Sequence, residues 1–118
     1  MPQLFFKPPG RAGLLALALT VSLGLAAGAV AAPAPVTVRI DNFTFDAATI
    51  TVPVGTTVTW VNQDDIPHTV VSDDKTTFRS KVMDTDDRYS FTFNTPGAFG
   101  YFCSIHPHMT GKVVVKAP

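Results

Sequence analysis

Cys103, His106 and Met109 lie within seven residues of one another, in the run Cys103-Ser104-Ile105-His106-Pro107-His108-Met109. A thiol, an imidazole and a thioether at that spacing put three metal donors on one loop. Soft thiolate and imidazole, with a thioether as weak axial donor, form the set that suits copper cycling between Cu(I) and Cu(II). Such a set needs a second imidazole. Of the three histidines only His68 lies outside the loop, and it follows Pro67, whose fixed φ stiffens the chain there. His68, Cys103, His106 and Met109 are therefore the candidate ligands of one copper ion, three from a loop and one from a neighbouring strand. A stiff frame would hold them nearly still in either oxidation state, which keeps the barrier to moving a single electron small. The loop also carries His108. Spacing favours His106 as the ligand and leaves His108 as a rim residue titratable near neutral pH, a docking residue or a second metal contact; the sequence does not choose among these.

Each donor taken singly has a plainer reading. A lone Cys in a β-domain is usually a small buried apolar residue, a lone Met is core filler, and a lone His before a strand is usually a surface or satisfied histidine. The combination carries the metal reading, and the rest of the chain sharpens it. Lys7 and Arg11 precede an uncharged, alanine-rich run from Ala12 to Ala32 that ends in Ala29-Val30-Ala31, the pattern of a secretory leader with a small-x-small cleavage site. The run approaches the ~20 residues of a membrane span, so an uncleaved anchor is the alternative. There is no Arg-Arg pair, which favours a general over a twin-arginine leader. We expect residues 1–32 to be the leader and 33–118 one exported domain. An exported domain with a single cysteine has no internal disulfide, which leaves Cys103 a stray thiol, half of an intermolecular bridge, or a ligand.

The elements that must position these donors read as strands. Val36-Thr37-Val38-Arg39-Ile40, Phe43-Thr44-Phe45 and Ile50-Thr51-Val52 alternate apolar and polar residues, and Pro53-Val54-Gly55 then turns the chain into Thr56 to Val61. His68 to Val71, Tyr89 to Phe93, Phe99 to Phe102 and Lys112 to Val115 continue the series, with Asn94-Thr95-Pro96-Gly97 as a strong turn. Short β-branched and aromatic runs divided by Gly, Pro, Asn and Asp predict an all-β antiparallel sandwich or barrel. On a strand Tyr89, Phe91 and Phe93 share one face, which can pack on a facing sheet. Asp73 to Arg88 is more polar and less regular, and we expect a loop or an irregular edge. Asp64-Asp65, Asp73-Asp74 and Asp86-Asp87 read as solvated turns, in no pattern that makes a calcium loop.

The stretch Val58 to Val70, the run Cys103 to Met109 and the following Gly111-Lys112-Val113-Val114-Val115 together resemble the cupredoxins, or type 1 blue copper proteins, of the amicyanin and plastocyanin branch. The short Cys-x-x-His-x-x-Met loop is nearest the amicyanins, and the similarity spans roughly residues 36–116. It implies a Greek-key sandwich of about eight strands, His68, Cys103 and His106 as equatorial ligands, Met109 as the axial one, and single-electron transfer in the bacterial periplasm. It also implies that Asn62 hydrogen-bonds the ligand loop and steadies it. His108 departs from the pattern, because amicyanins carry a bulky apolar residue there.

The function expected is a diffusible, monomeric electron carrier that docks transiently on redox partner proteins. Pro107, Ile66 and Pro96 are candidates for an apolar collar around the His106 edge. A periplasmic copper-delivery protein without electron-carrier duty is the alternative, and would use the same ligands. A zinc hydrolase needs an open coordination position for water, which a Met-capped four-donor set does not leave, and no Ser-His-Asp arrangement is suggested, since neither loop histidine has an acidic partner nearby in sequence. After residue 32 the chain has seven basic and nine acidic residues, so no strongly basic surface offers itself to nucleic acid. No membrane contact is expected unless the leader stays attached.

Overall fold

The computed structural model describes residue 10, residues 16–22, residue 24 and residues 31–118. Most of the expected leader, including the positions of its charged start and cleavage motif, lies outside the described residues. Among the described residues no helix is long and apolar enough to cross a membrane.

Eight strands follow in chain order: β1 (Val36–Asp41), β2 (Thr44–Asp46), β3 (Thr49–Pro53), β4 (Thr56–Asn62), β5 (Val71–Ser72), β6 (Arg88–Phe93), β7 (Gly97–Phe102) and β8 (Thr110–Lys116). They form two four-stranded sheets, ordered β2-β1-β4-β6 and β3-β8-β7-β5. Alternation decides which side of each strand is buried. In β1, Val38 and Ile40 point inward while Thr37, Arg39 and Asp41 stay exposed. In β6, Tyr89, Phe91 and Phe93 share the inner face as expected, and Phe93 is the most deeply buried.

The core between the sheets is aromatic. Trp60, wholly buried, packs against Phe78, Tyr89, Phe93 and Tyr101, with ring centroids 5.3–6.4 Å apart. Val38, Ile40, Phe45, Val52, Val58, Val113 and Val115 close the layer around it. Each such side chain taken out of water contributes about 1.5–3 kcal/mol, so the core alone gives the site a stiff support.

Three expectations are corrected. The sandwich is not wholly antiparallel: β1 pairs with β4 and β3 with β8 in parallel, because the chain changes sheets between β2 and β3 and again after β3. Phe43 is not in a strand. Asn42 and Phe43 take φ of 48° and 56° and make the turn into β2, and Phe43 is left partly exposed. His68 to Val71 is not a continuous strand either. His68 pairs singly with Met83 and Val71 with Arg79, so the excursion from β4 to β6 is pinned at isolated points. The polar stretch after Asp73 is irregular as expected, yet it buries Phe78 and Met83.

Candidate metal centre

The Cys103–Met109 loop joins β7 to β8. Those strands pair up to Phe102 opposite Thr110, so the hairpin closes directly beneath Cys103 and Met109. The Cys103 N–H donates to the Met109 carbonyl at 3.0 Å, and the Met109 N–H to the His106 carbonyl at 2.9 Å. A seven-residue loop bonded to itself at its base has little freedom to splay its donors.

His68 arrives on the segment between β4 and β5, just before the strand that pairs with β7. Its N–H and carbonyl both bond to Met83, at 3.1 and 2.8 Å, and its ring is wholly buried. Nδ1 of His68 lies 3.8 Å from Cys103 Sγ, and Nδ1 of His106 lies 3.7 Å from the same sulfur. The three donor atoms are within 4.8 Å of one another. Cys103 is wholly buried, His106 only partly so. Met109 is buried on the same loop. His108 is exposed beside it.

Thr69 holds the sulfur in place. Its N–H points at Cys103 Sγ across 3.4 Å, and its hydroxyl lies 3.7 Å from the same atom. The hydroxyl also accepts the Ser104 N–H at 2.7 Å and meets the Ser104 hydroxyl at 2.7 Å. Burial by itself would raise the Cys103 thiol. The Thr69 N–H, which points at the sulfur, acts against burial and lowers it. Thiolate is the form in which such a sulfur binds metal.

The structure differs from the sequence expectations at three positions around the site. Asn62 does not reach the Cys103–Met109 loop. Its amide donates to the carbonyls of Ile66 and Met83, both at 2.9 Å, and its oxygen accepts the Asp64 N–H at 2.9 Å. It steadies the segment that carries His68, and Thr69 makes the link to the loop. Asp64 is not a solvated turn residue: it is buried and its carboxylate lies 2.9 Å from His68 Nε2. That hydrogen bond, aided by the Phe43 N–H, holds its pKa at about 2. Pro96 cannot belong to a collar around His106. It precedes Gly97 at the start of β7, and Cys103 follows the other end of that six-residue strand, about 20 Å of extended chain away. The apolar residue that does meet His106 is Phe43, whose ring stands edge-on to His106 at 4.9 Å and to His68 at 5.6 Å. Only the left-handed turn at Asn42-Phe43 brings it there, and no alternation pattern signals such a turn.

One buried thiolate and two imidazoles, with their donor atoms converging, suit a soft or borderline transition metal and not a hard cation such as calcium or magnesium. The family model described as copper binding proteins, plastocyanin/azurin family, matches residues 33–116. The chain belongs to that family. Amicyanin of Paracoccus versutus is 39% identical over 83 residues, a match covering 65% of this chain and 61% of that protein. Amicyanin of Paracoccus denitrificans is 36% identical over 81 residues, covering 65% and 62%. This chain therefore spans about three fifths of the length of those two relatives. Among solved structures, a purple cupredoxin from Nitrosopumilus maritimus superimposes with a TM-score of 0.66 at 33% identity, over 69% of this chain and 99% of that one. The two sheets are those of the cupredoxin fold, and the donor set fits the one copper ion that membership of the family implies.

Proposed function

We propose that this protein is an exported single-electron carrier that holds one copper ion through His68, Cys103, His106 and Met109. The observation that carries the reading is the convergence of His68 Nδ1 and His106 Nδ1 on Cys103 Sγ, at 3.8 and 3.7 Å, on segments tied to each other by hydrogen bonds. Bound copper supplies a one-electron couple, Cu(I)/Cu(II).

The chain's own residues supply the rest. Cys103 and His68 are closed off from water, so solvent does not need to reorganise around them when the charge changes. Thr69, Asn62 and the loop's closing hydrogen bonds fix the donors against rearrangement. His106, partly exposed, gives the electron its way in and out. Phe43 and Ile105, 46% and 45% exposed, offer an apolar surface of the small kind that suits brief docking of redox partner proteins. With Met109 as fourth donor no position is left for a catalytic water, which supports a carrier over an enzyme. A leader over residues 1–32, removed on export, would deliver residues 33–118 to the periplasm as a monomer.

Titration of the copper-free protein with Cu(II) tests this. One equivalent should give an intense visible absorption from thiolate-to-copper charge transfer, retained through repeated cycles of ascorbate and ferricyanide. A colourless complex would overturn the type 1 site. Ready loss of the reduced ion to a Cu(I) chelator would favour copper delivery instead.

A further inference from the structure

Asp64 is the acid that the metal-binding set does not use, and it sits directly behind one of that set's members. It is 7% exposed and is held at every polar atom. Its N–H donates to Asn62 Oδ1 at 2.9 Å, and its carbonyl accepts the Thr85 hydroxyl at 2.7 Å. Its Oδ1 accepts the Asp65 N–H at 3.0 Å. Its Oδ2 accepts the Phe43 N–H at 3.0 Å and lies 2.9 Å from Nε2 of the wholly buried His68.

An ionised carboxylate has only acceptor capacity. Nε2 must therefore be the nitrogen of His68 that carries the proton, and in the neutral ring Nδ1 is left with its lone pair free. That lone pair faces Cys103 Sγ across 3.8 Å. Two electron-rich atoms held at that separation are arranged for a cation between them. The same Oδ2 also ties down the turn that presents Phe43 to both imidazoles.

We infer that Asp64 is a positioning residue: its carboxylate fixes the tautomer and orientation of His68, so that Nδ1 is committed to the metal before metal arrives, and latches the Phe43 turn against the site. A carboxylate behind a metal-ligating imidazole orients the ring and makes it a better donor. A negative charge there also favours the more positive state of the ion. This deepens the reading of His68 as a ligand and rests on it.

The test uses 15N-labelled protein without metal, at a pH where imidazoles are neutral, and reads the protonation of the two His68 ring nitrogens by long-range 1H–15N correlation. Wild type should show the proton on Nε2 alone. Asp64→Asn keeps an acceptor oxygen but loses the charge. It should keep that tautomer and hold Cu(II) within a few-fold of wild type, with a raised reduction potential. Asp64→Leu removes both. It should give mixed tautomers and about 10- to 100-fold weaker Cu(II) binding. A proton on Nδ1 in the wild type overturns the inference whether or not the Leu variant folds. An unchanged potential in Asp64→Asn overturns the charge effect. Failure of the wild type to form a thiolate-coloured Cu(II) complex would sink the copper reading, while the tautomer, measured without metal, still decides what Asp64 does to His68.

Discussion

Cys103 is the one donor whose loss should remove both colour and tight binding, because the visible absorption arises from its sulfur. Cys103→Ala should abolish the band and leave a weak Cu(II) site. Met109→Leu should keep a thiolate band with a shifted reduction potential, since the axial donor tunes the couple and does not create the colour. Absorption spectra and voltammetry of the two variants check this. Thr69 gives a prediction that needs no metal. Thr69→Val removes the hydroxyl that accepts the Ser104 N–H and meets the Ser104 side chain. It should cost about 1–2 kcal/mol in denaturant unfolding. The convergence of His68, Cys103 and His106 was legible in the sequence because soft and borderline donors clustered on a short loop have few other uses. Asp64 was not, because Asp64-Asp65 before Ile66-Pro67 looks like any polar turn. What buries it is the packing of the β4–β6 excursion against the Phe43 turn, and no local pattern encodes that contact.

The β7–β8 hairpin is the element that aims the ligand loop, and its geometry depends on Gly111. Tyr101 and Gly111 are cross-strand partners. A Cβ at Gly111 would run into the Tyr101 ring, so the aromatic lies over bare backbone two residues from Met109. Gly111→Ala should force the Tyr101 ring away from its place against Trp60 and Phe45. Overpacking of this kind costs about 1–3 kcal/mol. We expect that loss in chemical denaturation, and weakened copper retention with it, since Met109 and Cys103 share the strained hairpin. A variant as stable as wild type would mean the ring has room that its packing does not suggest. At this scale the strands themselves were legible, because period-two alternation dictates which face is buried. The pairing of β1 with β4 and of β3 with β8 in parallel was not, because alternation carries no information about a strand's neighbour or direction. The same limit explains His68: a Pro-preceded β-branched stretch reads as a strand, but among the described residues His68 itself pairs only through a single bridge to Met83.

For the molecule as a whole, charge is a minor influence on stability, with seven basic and nine acidic residues after position 32. What distinguishes it is an aromatic core with two unpaired polar atoms at its centre. Trp60 Nε1 and Tyr101 Oη are both buried, and neither has a hydrogen-bond partner of ordinary geometry among the described residues. Burial pushes the Tyr101 hydroxyl up from 10.0 to about 12, and the nearby Trp60 indole offsets only part of that. Burial raises Tyr89 as well, against a hydrogen bond from the Arg79 N–H. The folded pKa lies above the unfolded one, so between pH 10 and 12 the unfolded chain releases a proton that the folded chain keeps. Stability must therefore fall as pH rises through that window and be unaffected by this group below it. A two-unit difference corresponds to about 2–3 kcal/mol once pH reaches 12. Tyr101→Phe removes the titrating group and a buried hydroxyl that has no partner, while keeping the ring over Gly111. It should match or exceed wild type by up to about 1 kcal/mol at pH 7, and the gap should widen in its favour above pH 10. Urea unfolding of both proteins across pH 7–11.5 measures this. A constant gap would mean that Tyr101 ionises in the native state, with water reaching the middle of the sandwich beneath the metal site.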